Sequence, residues 1–335
     1  MKKVFLITAL LFYSISSFCQ TAEEFINKAN SFADQWDYDK AIPEYDKAIE
    51  LNPDNAEIYY LRGYAKTNIN QKEAAIADFA KAIELNTADT ASYYEKAMAE
   101  EYIQNYEAAI NDLNKYIDLV NDDPNAYNLR ASCELQITDY KAAIKDFTKV
   151  LDFDFEDIGN VYLQRAYAYQ EMNEYQKAID DFNTLLKDNP QNTRIIVKRG
   201  YTKWLMNDYK AAMEDANKAI KDKNPEGTFL RGLIYFKQKK YKDALNDFEN
   251  ITKKYPVAEA LYYQGKTHMA LKKYNEAITD FDKLIEIKPK YRGAYYARGN
   301  AKFKAGKKKE ACADWKIAQG NNNSEAEKSL KEHCK

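Results

Sequence analysis

Few residues of this chain belong to types that commonly carry catalysis or bind metal ions. Its 335 residues include only two histidines, His268 and His333, and four cysteines. His268 has no Cys, Asp or Glu at the spacing of metal ligands along a helix. The sequence also lacks a phosphate-binding loop, a zinc-ligand spacing and a Ser/His/Asp arrangement. It therefore predicts no enzymatic activity, no metal and no cofactor.

Basic and acidic residues recur in a fixed register, sixteen residues apart. The basic members are Arg62, Arg130, Arg165, Arg199, Arg231 and Arg298, and their acidic counterparts are Asp78, Asp146, Asp181, Asp215, Asp247 and Asp314. Lys28 with Glu44 and Lys96 with Asp112 share this spacing, whereas Gln264 takes the basic place opposite Asp280. A basic ladder for nucleic acid is one interpretation, and ion pairs between two helices are the other. Since each base has its own acid, we favour structural ion pairs, with arginine preferred for its bidentate fork, and expect no nucleic-acid partner.

A second periodic signal identifies the elements that would hold these pairs. An alanine followed by an apolar residue, with an acid three places after it, occurs at Ala41, Ala75, Ala109, Ala143, Ala178, Ala212, Ala244, Ala277 and Ala311. Successive copies are 32 to 35 residues apart. Such regular spacing is typical of a tandem repeat in which each copy is one supersecondary unit.

One unit shows why the repeat should be a helical hairpin. Residues 59–65 predict part of a first helix and residues 74–85 a second, in which Ala75, Phe79 and Ala82 form one apolar stripe. Gly63 and Ala75 are small, so the two backbones can approach closely. Because a single hairpin cannot bury both of its faces, each unit needs its neighbours.

The repeat resembles the tetratricopeptide repeat family. The segment 295–301, followed by Ala311, Trp315 and Ala318, is similar to its pattern of aromatic, glycine and small residues, and the similarity extends over about residues 21–320. The resemblance implies an all-α, right-handed superhelical solenoid of about nine helical hairpins. We divide it into an acidic half with repeats 1–4 (22–155), a basic half with repeats 5–9 (156–320) and a C-terminal capping helix (324–335).

The resemblance also implies where a ligand would bind, because first helices line the concave groove in this family. The corresponding residues are Tyr60, Tyr64, Tyr94, Met98, Asn128, Tyr167, Tyr201, Trp204, Phe229, Phe236, Tyr262, Lys266, Tyr296 and Asn300. A largely uncharged aromatic groove favours a protein or an extended peptide as partner. The alternative is that many of these rings only fill a tight superhelix. The lysine, asparagine and arginine clamp with which some relatives hold a peptide C-terminus is not reproduced in the first three repeats.

The first nineteen residues have the parts of a secretory signal peptide. Lys2 and Lys3 supply the positive start, residues 4–12 form an apolar stretch, and cleavage is expected after Cys19. Lipidation of Cys19 is less favoured because Phe18 occupies a place where a small residue is required, and an uncleaved anchor is the remaining alternative. We expect no membrane-spanning segment in the mature chain and an exported protein in the periplasm, at the outer membrane or outside a bacterial cell.

The final helix offers a second compartment signal. Ser324 to Glu327 resemble a capping box that would begin this helix. The stripe Ala326, Leu330 and Cys334 would then place Cys334 against the last repeat and Cys312. In an oxidising compartment a Cys312–Cys334 disulfide would fasten the helix; two reduced, packed thiols are the alternative. Cys133 takes a place that is alanine in other repeats and should be buried.

The expected function is therefore a non-enzymatic scaffold or adaptor of the bacterial cell envelope. It would bind a protein or peptide in the aromatic groove. Self-association into a structural element of an envelope or secretion assembly is the alternative, because charge is unevenly distributed along the chain. Residues 20–160 carry a net charge of −16 and residues 161–335 a net charge of +12.

Overall fold

The computed structural model describes residues 21–334, and all regular secondary structure in this range is helical. The helices, named in chain order, are α1 (Ala22–Ala33), α2 (Tyr38–Leu51), α3 (Ala56–Asn68), α4 (Lys72–Leu85), α5 (Thr90–Tyr102), α6 (Tyr106–Leu119), α7 (Pro124–Gln136), α8 (Tyr140–Val150), α9 (Ile158–Glu171), α10 (Tyr175–Asp188), α11 (Thr193–Leu205), α12 (Tyr209–Lys221), α13 (Pro225–Lys237), α14 (Tyr241–Lys254), α15 (Ala258–Ala270), α16 (Tyr274–Ile287), α17 (Ala294–Lys304), α18 (Lys308–Gly320) and α19 (Ser324–His333). The predicted signal peptide lies outside the described residues. Between residues 21 and 334, no helix has the length and apolar character needed to cross a bilayer.

The chain divides into two units, with the division after Ala168 in α9. In the first unit, α1 to α8 form four successive helical hairpins. In the second unit, α11 to α18 form four more, and α19 packs against α18. The predicted fold class, an all-helical array of hairpin repeats with a capping helix, is confirmed. The predicted boundary between acidic and basic halves near residue 155 stays a prediction.

Most odd-numbered helices between residues 21 and 334 begin at residues whose side chains cap free backbone N–H groups, whereas α15 and α17 have no such cap. Thr21 Oγ1 accepts a hydrogen bond from Glu24 N at 3.3 Å, and Asn55 Oδ1 accepts one from Glu57 N at 3.0 Å. The capping box predicted at Ser324 is wrong. Asn323 Oδ1 accepts from Ala326 N at 3.0 Å and caps α19, so Ser324 is already the first helical residue.

Each turn inside a hairpin contains one residue in the left-handed backbone region. The non-glycine examples have φ between +59° and +64° and are Trp36, Asn70, Gln104, Thr138, Asn173, Asn207, Lys239 and Lys272. Gly306 serves the turn between α17 and α18 with φ +81°. Side chains seldom adopt this region without cost. The packing of the paired helices therefore imposes the turn geometry more than the identity of the turn residue does.

In several hairpins an aromatic ring of the second helix lies on a glycine of the first helix. A Cβ atom added at Gly265 would lie 2.7 Å from the ring of the fully buried Phe281, and one added at Gly299 would lie 2.6 Å from Trp315. These distances are shorter than carbon atoms can approach without displacement. The small residue therefore sets the spacing between the two helices of the hairpin.

We expect Gly265→Val to destabilise the second unit by about 1–3 kcal/mol, because its side chain must displace the buried Phe281 ring. Gly320→Val is the matched control, since a Cβ atom there would have no neighbour within 4 Å. Urea unfolding followed by circular dichroism measures both variants. Equal midpoints for the two variants would contradict this account of helix spacing.

The capping helix closes the second unit through the predicted stripe. Ala326 is fully buried, and Leu330 and Cys334 pack against the cluster that contains Trp315. The Sγ atoms of Cys334 and Cys312 lie within bonding distance, and their Cα atoms are 5.8 Å apart. The stripe thus covers apolar surface that the last repeat would otherwise expose.

Candidate functional site

The periodic arginines and aspartates of the first unit meet inside their hairpins. Arg62 donates to Asp78 through Nε (2.9 Å) and Nη2 (2.6 Å), and Asp78 is only 4% exposed. Arg130 makes the same two bonds to Asp146, at 2.6 and 2.9 Å. Two parallel charge-assisted bonds fix both the distance and the orientation of the paired helices.

The second unit repeats this arrangement. Its bidentate pairs are Arg199 with Asp215, Arg231 with Asp247, and Arg298 with Asp314, all with donor–acceptor distances between 2.6 and 3.0 Å. Arg165 belongs to the first unit, where its Nη1 donates to Thr148 Oγ1 at 3.0 Å, and Asp181 belongs to the second unit. These guanidinium groups are therefore occupied within the protein rather than presented to a ligand.

The sequence did not lead us to predict that a second basic residue forms an ion pair with the same aspartates. A lysine lies one helical turn after the arginine and contacts its partner in three hairpins, at 2.7 to 2.9 Å: Lys66 with Asp78, Lys203 with Asp215, and Lys302 with Asp314. The four-residue spacing from arginine to lysine was a usable signal, because residues four apart share a helix face.

At the same place the fourth hairpin carries an acid instead of a lysine. Glu134 is 8% exposed, and its Oε2 atom has no hydrogen-bond partner among the described residues. Burial raises the pKa of Glu134 to about 8; Asp146 and Asp139 add to this rise, whereas Arg130 and Lys145 oppose it. The third hairpin has Glu100 here, and burial with the neighbouring Asp112 raises its pKa to about 7.

In the hairpin of α15 and α16, a glutamine and a histidine take the places of the arginine and the lysine. Gln264 Nε2 donates to Asp280 Oδ1 at 2.9 Å, and His268 Nδ1 lies 2.6 Å from Asp280 Oδ2. All three residues are buried. Gln264 therefore contacts the aspartate sixteen residues later, as the arginines of the other hairpins do, although it carries no charge. His268 is paired with the same aspartate within the protein. In the described part of the chain no group of His, Cys, Asp and Glu could hold a metal ion.

The predicted groove residues of the first unit differ in exposure. Tyr64, Met98 and Tyr167 are exposed by 41%, 45% and 47%, whereas Tyr60, Tyr94 and Asn128 are half-buried. The half-buried rings contact other rings: Tyr60 lies 6.0 Å from Phe79 and Tyr94 lies 5.2 Å from Tyr116, between centroids. The half-buried tyrosines thus support the hairpins, and the exposed side chains remain accessible to a ligand.

In the second unit the predicted residues of α11, α13 and α15 form one connected aromatic surface. Tyr201, exposed by 42%, stacks on Trp204 with centroids 5.2 Å apart. Trp204, Phe229, Phe236 and Tyr263 all pack on the buried cluster around Phe248. Sequence reasoning did not include Tyr263, although its position next to Tyr262 was the available signal. We call this surface, with Lys266 and Tyr262 described next, the aromatic face.

Lys266 lies among the rings of the aromatic face. Its Nζ atom is 5.7 Å from the Phe236 centroid, 5.3 Å from that of Tyr262 and 5.6 Å from that of Tyr263. The side chain is half-buried, and burial, together with the nearby positive charge of Lys237, lowers the pKa of Lys266. This lysine therefore holds a partly desolvated charge.

The last two predicted groove residues, Tyr296 and Asn300, lie on α17, next to the capping helix. Asn300 Oδ1 accepts a hydrogen bond from Trp315 Nε1 at 3.0 Å, and Tyr296 packs on the cluster formed by Trp315 and Ala326. Both residues are half-buried. The Asn300 acceptor atom is therefore already used within its own hairpin.

The chain is built of tandem hairpins, and small residues and bidentate ion pairs hold the two helices of a hairpin together. With an aromatic face on the first helices, this arrangement defines an α-helical repeat protein. Family models described as TPR repeat and tetratricopeptide repeat match residues 29–69, 56–89, 94–155, 160–192, 193–221 and 229–292. Together they cover well over half of the chain. The chain belongs to the tetratricopeptide repeat family.

Solved structures resemble this chain at low sequence identity. A tetratricopeptide repeat protein from Parabacteroides merdae matches 73% of this chain and 98% of its own, with 21% identity and a TM-score of 0.48. The Naa15/Naa10 complex bound to HypK-THB contains a chain that matches 89% of this one over 63% of its own length, with 11% identity and a TM-score of 0.52. A search of curated proteins found no match.

Proposed function

We propose that this protein is a non-enzymatic scaffold or adaptor that binds a protein or peptide through the exposed face of its first helices. Tetratricopeptide repeat proteins generally mediate protein–protein interactions, and their scaffolds are generally non-enzymatic. The charged groups of the hairpins support this, since the arginines and their aspartates are engaged with one another. Such engaged pairs are poorly suited to proton transfer with a substrate.

The observation that carries the proposal is the aromatic face of the second unit. Tyr201 remains 42% exposed although it lies on the same helix as residues that are fully buried, such as Ile196. Large rings at a surface supply much contact area at little cost in side-chain entropy, and they are enriched at the centres of protein interfaces. Tyr201 is therefore available to contact a ligand together with Trp204, on which it stacks.

The proposal is tested with a library of random dodecapeptides displayed as fusions and selected on the full-length protein. Peptides that bind are then measured by fluorescence anisotropy. Tyr201→Ala is expected to weaken them by about tenfold, the effect of a modest interface contact. Tyr255→Ala is the matched control, because Tyr255 is 54% exposed but lies at the end of the second helix α14. Equal weakening by both variants, or no binding peptide, would argue against the proposal.

We also propose that the protein is exported to the bacterial envelope or beyond and that Cys312 and Cys334 form a disulfide there. Support comes from the leader-like first nineteen residues and from the bonding distance between the two Sγ atoms. An oxidising compartment permits such a bond.

Reduction, or the double variant Cys312→Ser with Cys334→Ser, is expected to destabilise docking of α19 by about 3 kcal/mol, since the bond closes a loop of 22 residues. Hydrogen exchange of the α19 amides measures the change. Cys133→Ser is the control: it removes a thiol from the first unit and should leave the exchange of α19 unchanged. Unchanged protection of α19 after reduction would contradict a stabilising disulfide.

Self-association is the second candidate, favoured by the charges of −16 and +12 in the two parts of the sequence. Opposite charges attract less as ionic strength rises, because salt screens them. Sedimentation through a series of salt concentrations tests this: oligomers that dissociate with salt would support it, and a monomer at every salt concentration would exclude it.

A further inference from the structure

Lys266 lies among the rings of the aromatic face and has no acidic partner among the described residues. Among residues 21–334, no carboxylate oxygen lies within 4.0 Å of Lys266 Nζ, whereas Lys203 and Lys302, also on first helices, both contact an aspartate. Three ring faces surround the ammonium group, at 5.3 to 5.7 Å. Rings attract a cation but replace only part of its lost hydration. A carboxylate would compensate this charge more fully than the rings do.

A second unpaired lysine extends the positive region along the same face. Lys237, at the end of α13, is exposed and lies 5.4 Å from the Trp204 ring. It is also close enough to Lys266 for their charges to repel. Trp204 in turn stacks on the exposed Tyr201. The aromatic face thus offers two cations beside accessible apolar surface, and no carboxylate among the described residues forms an ion pair with either cation.

We propose that the aromatic face recognises an acidic peptide segment, with an aspartate or glutamate side chain at Lys266 and Lys237 and neighbouring apolar residues on Tyr201 and Trp204. This inference rests on the proposed function and specifies the chemistry of its ligand. The two lysines are point charges suited to a carboxylate. Opposite charge at a mostly apolar face gives specificity, because a peptide without an acid would leave both lysines unpaired.

The geometry favours an internal side chain over two other anions. Capture of a chain terminus commonly uses clustered backbone or fork-like donors, and here the neighbouring Arg231 is held by Asp247 at 2.7 to 2.9 Å. A nucleic acid would need a continuous track of free basic groups along its phosphates. Arg199 and Arg298, which hold the position of Arg231 in their own hairpins, are likewise bound to aspartates. An acidic peptide requires only Lys266 and Lys237.

The experiment uses the dodecapeptide fusions, which have no free C-terminal carboxylate, selected on the full-length protein. Selected sequences are expected to be enriched in Asp or Glu beside aromatic or aliphatic residues. Replacing that acid by its amide in an amidated synthetic peptide should weaken binding about tenfold, and Lys266→Met should have the same effect. Lys237→Met, at an exposed position, should weaken binding less, and Lys304→Met, an exposed lysine of α17, should leave it unchanged.

Each other outcome is decisive. Selected peptides that lack acids, or that bind equally to Lys266→Met with an unchanged thermal unfolding curve, would overturn the acidic ligand while leaving peptide binding in place. Binding that requires a free C-terminus would overturn the internal acid. Binding of an oligothymidylate probe that is lost in Lys266→Met would assign the face to nucleic acid instead. Failure of the wild-type protein to select any peptide would overturn both this inference and the proposed function.

Discussion

Replacing Asp78 by alanine is expected to lower the free energy of unfolding of the first unit by about 3–5 kcal/mol, the cost of breaking a buried ion pair from one side. Asp78 is 4% exposed and binds two cations, Arg62 by a bidentate contact and Lys66 at 2.7 Å. The side chains of both cations are also mostly buried, at 17% and 16% exposure. Without the carboxylate, two desolvated positive charges would face each other.

The same arginine provides the matched control. Asp46 also contacts Arg62, at 2.6 Å, but its side chain is 50% exposed. Asp46→Ala should therefore cost less than about 1 kcal/mol, since water replaces an exposed partner cheaply. Urea unfolding and hydrogen exchange of the α3 and α4 amides measure both variants, because repeat arrays can unfold in parts. Similar losses in the two variants would contradict the structural role of the buried pair.

The second large effect is a pH dependence set by Glu134. Its pKa is about 8 in the folded chain against an ordinary 4.5, so folding favours the protonated carboxyl. The stability from this group is fully present below about pH 4.5 and is lost as the pH rises through about 8. Full ionisation should cost the first unit on the order of 5 kcal/mol. Ionisation of the buried Glu100, with a pKa near 7, should act in the same direction.

Glu134→Gln isolates this effect because the amide keeps the shape of the side chain and cannot ionise. The variant should match the wild-type protein in stability near pH 4 and exceed it increasingly as the pH rises to about 8. Glu107→Gln, at an exposed position of α6, should differ from wild type by the same small amount at every pH. Chemical unfolding across this pH range gives the comparison. A constant difference between Glu134→Gln and wild type would show that Glu134 is ionised throughout.

The helical hairpins could be predicted because their determinants are local and repeated. The spacing of the alanines, such as Ala75 and Ala277, already requires one small residue per unit, and each is fully buried in the structure. The register of Arg62 with Asp78 similarly identified two residues that meet across a hairpin. Periodic features repeat the same physical constraint in every unit, so that one exception leaves the interpretation intact.

What could not be predicted depends on the three-dimensional surroundings of single residues. The partial burial of Lys266 results from three rings on two helices, and no spacing in the sequence encodes how closely they approach. The same holds for the unpartnered Oε2 atom of Glu134. Asn323 was missed as the cap of α19 because Ser324, one residue later, is an equally good capping type.

The central claim is that a peptide binds on the first helices of the second unit. Hydrogen exchange measured by mass spectrometry, with and without a peptide selected on the full-length protein, tests this claim most directly. The account predicts slower exchange in α11, α13 and α15, which carry Tyr201, Phe236 and Lys266, and little change in α12, α14 and α16. Protection confined to the second helices, or no protection at saturating peptide, would contradict it.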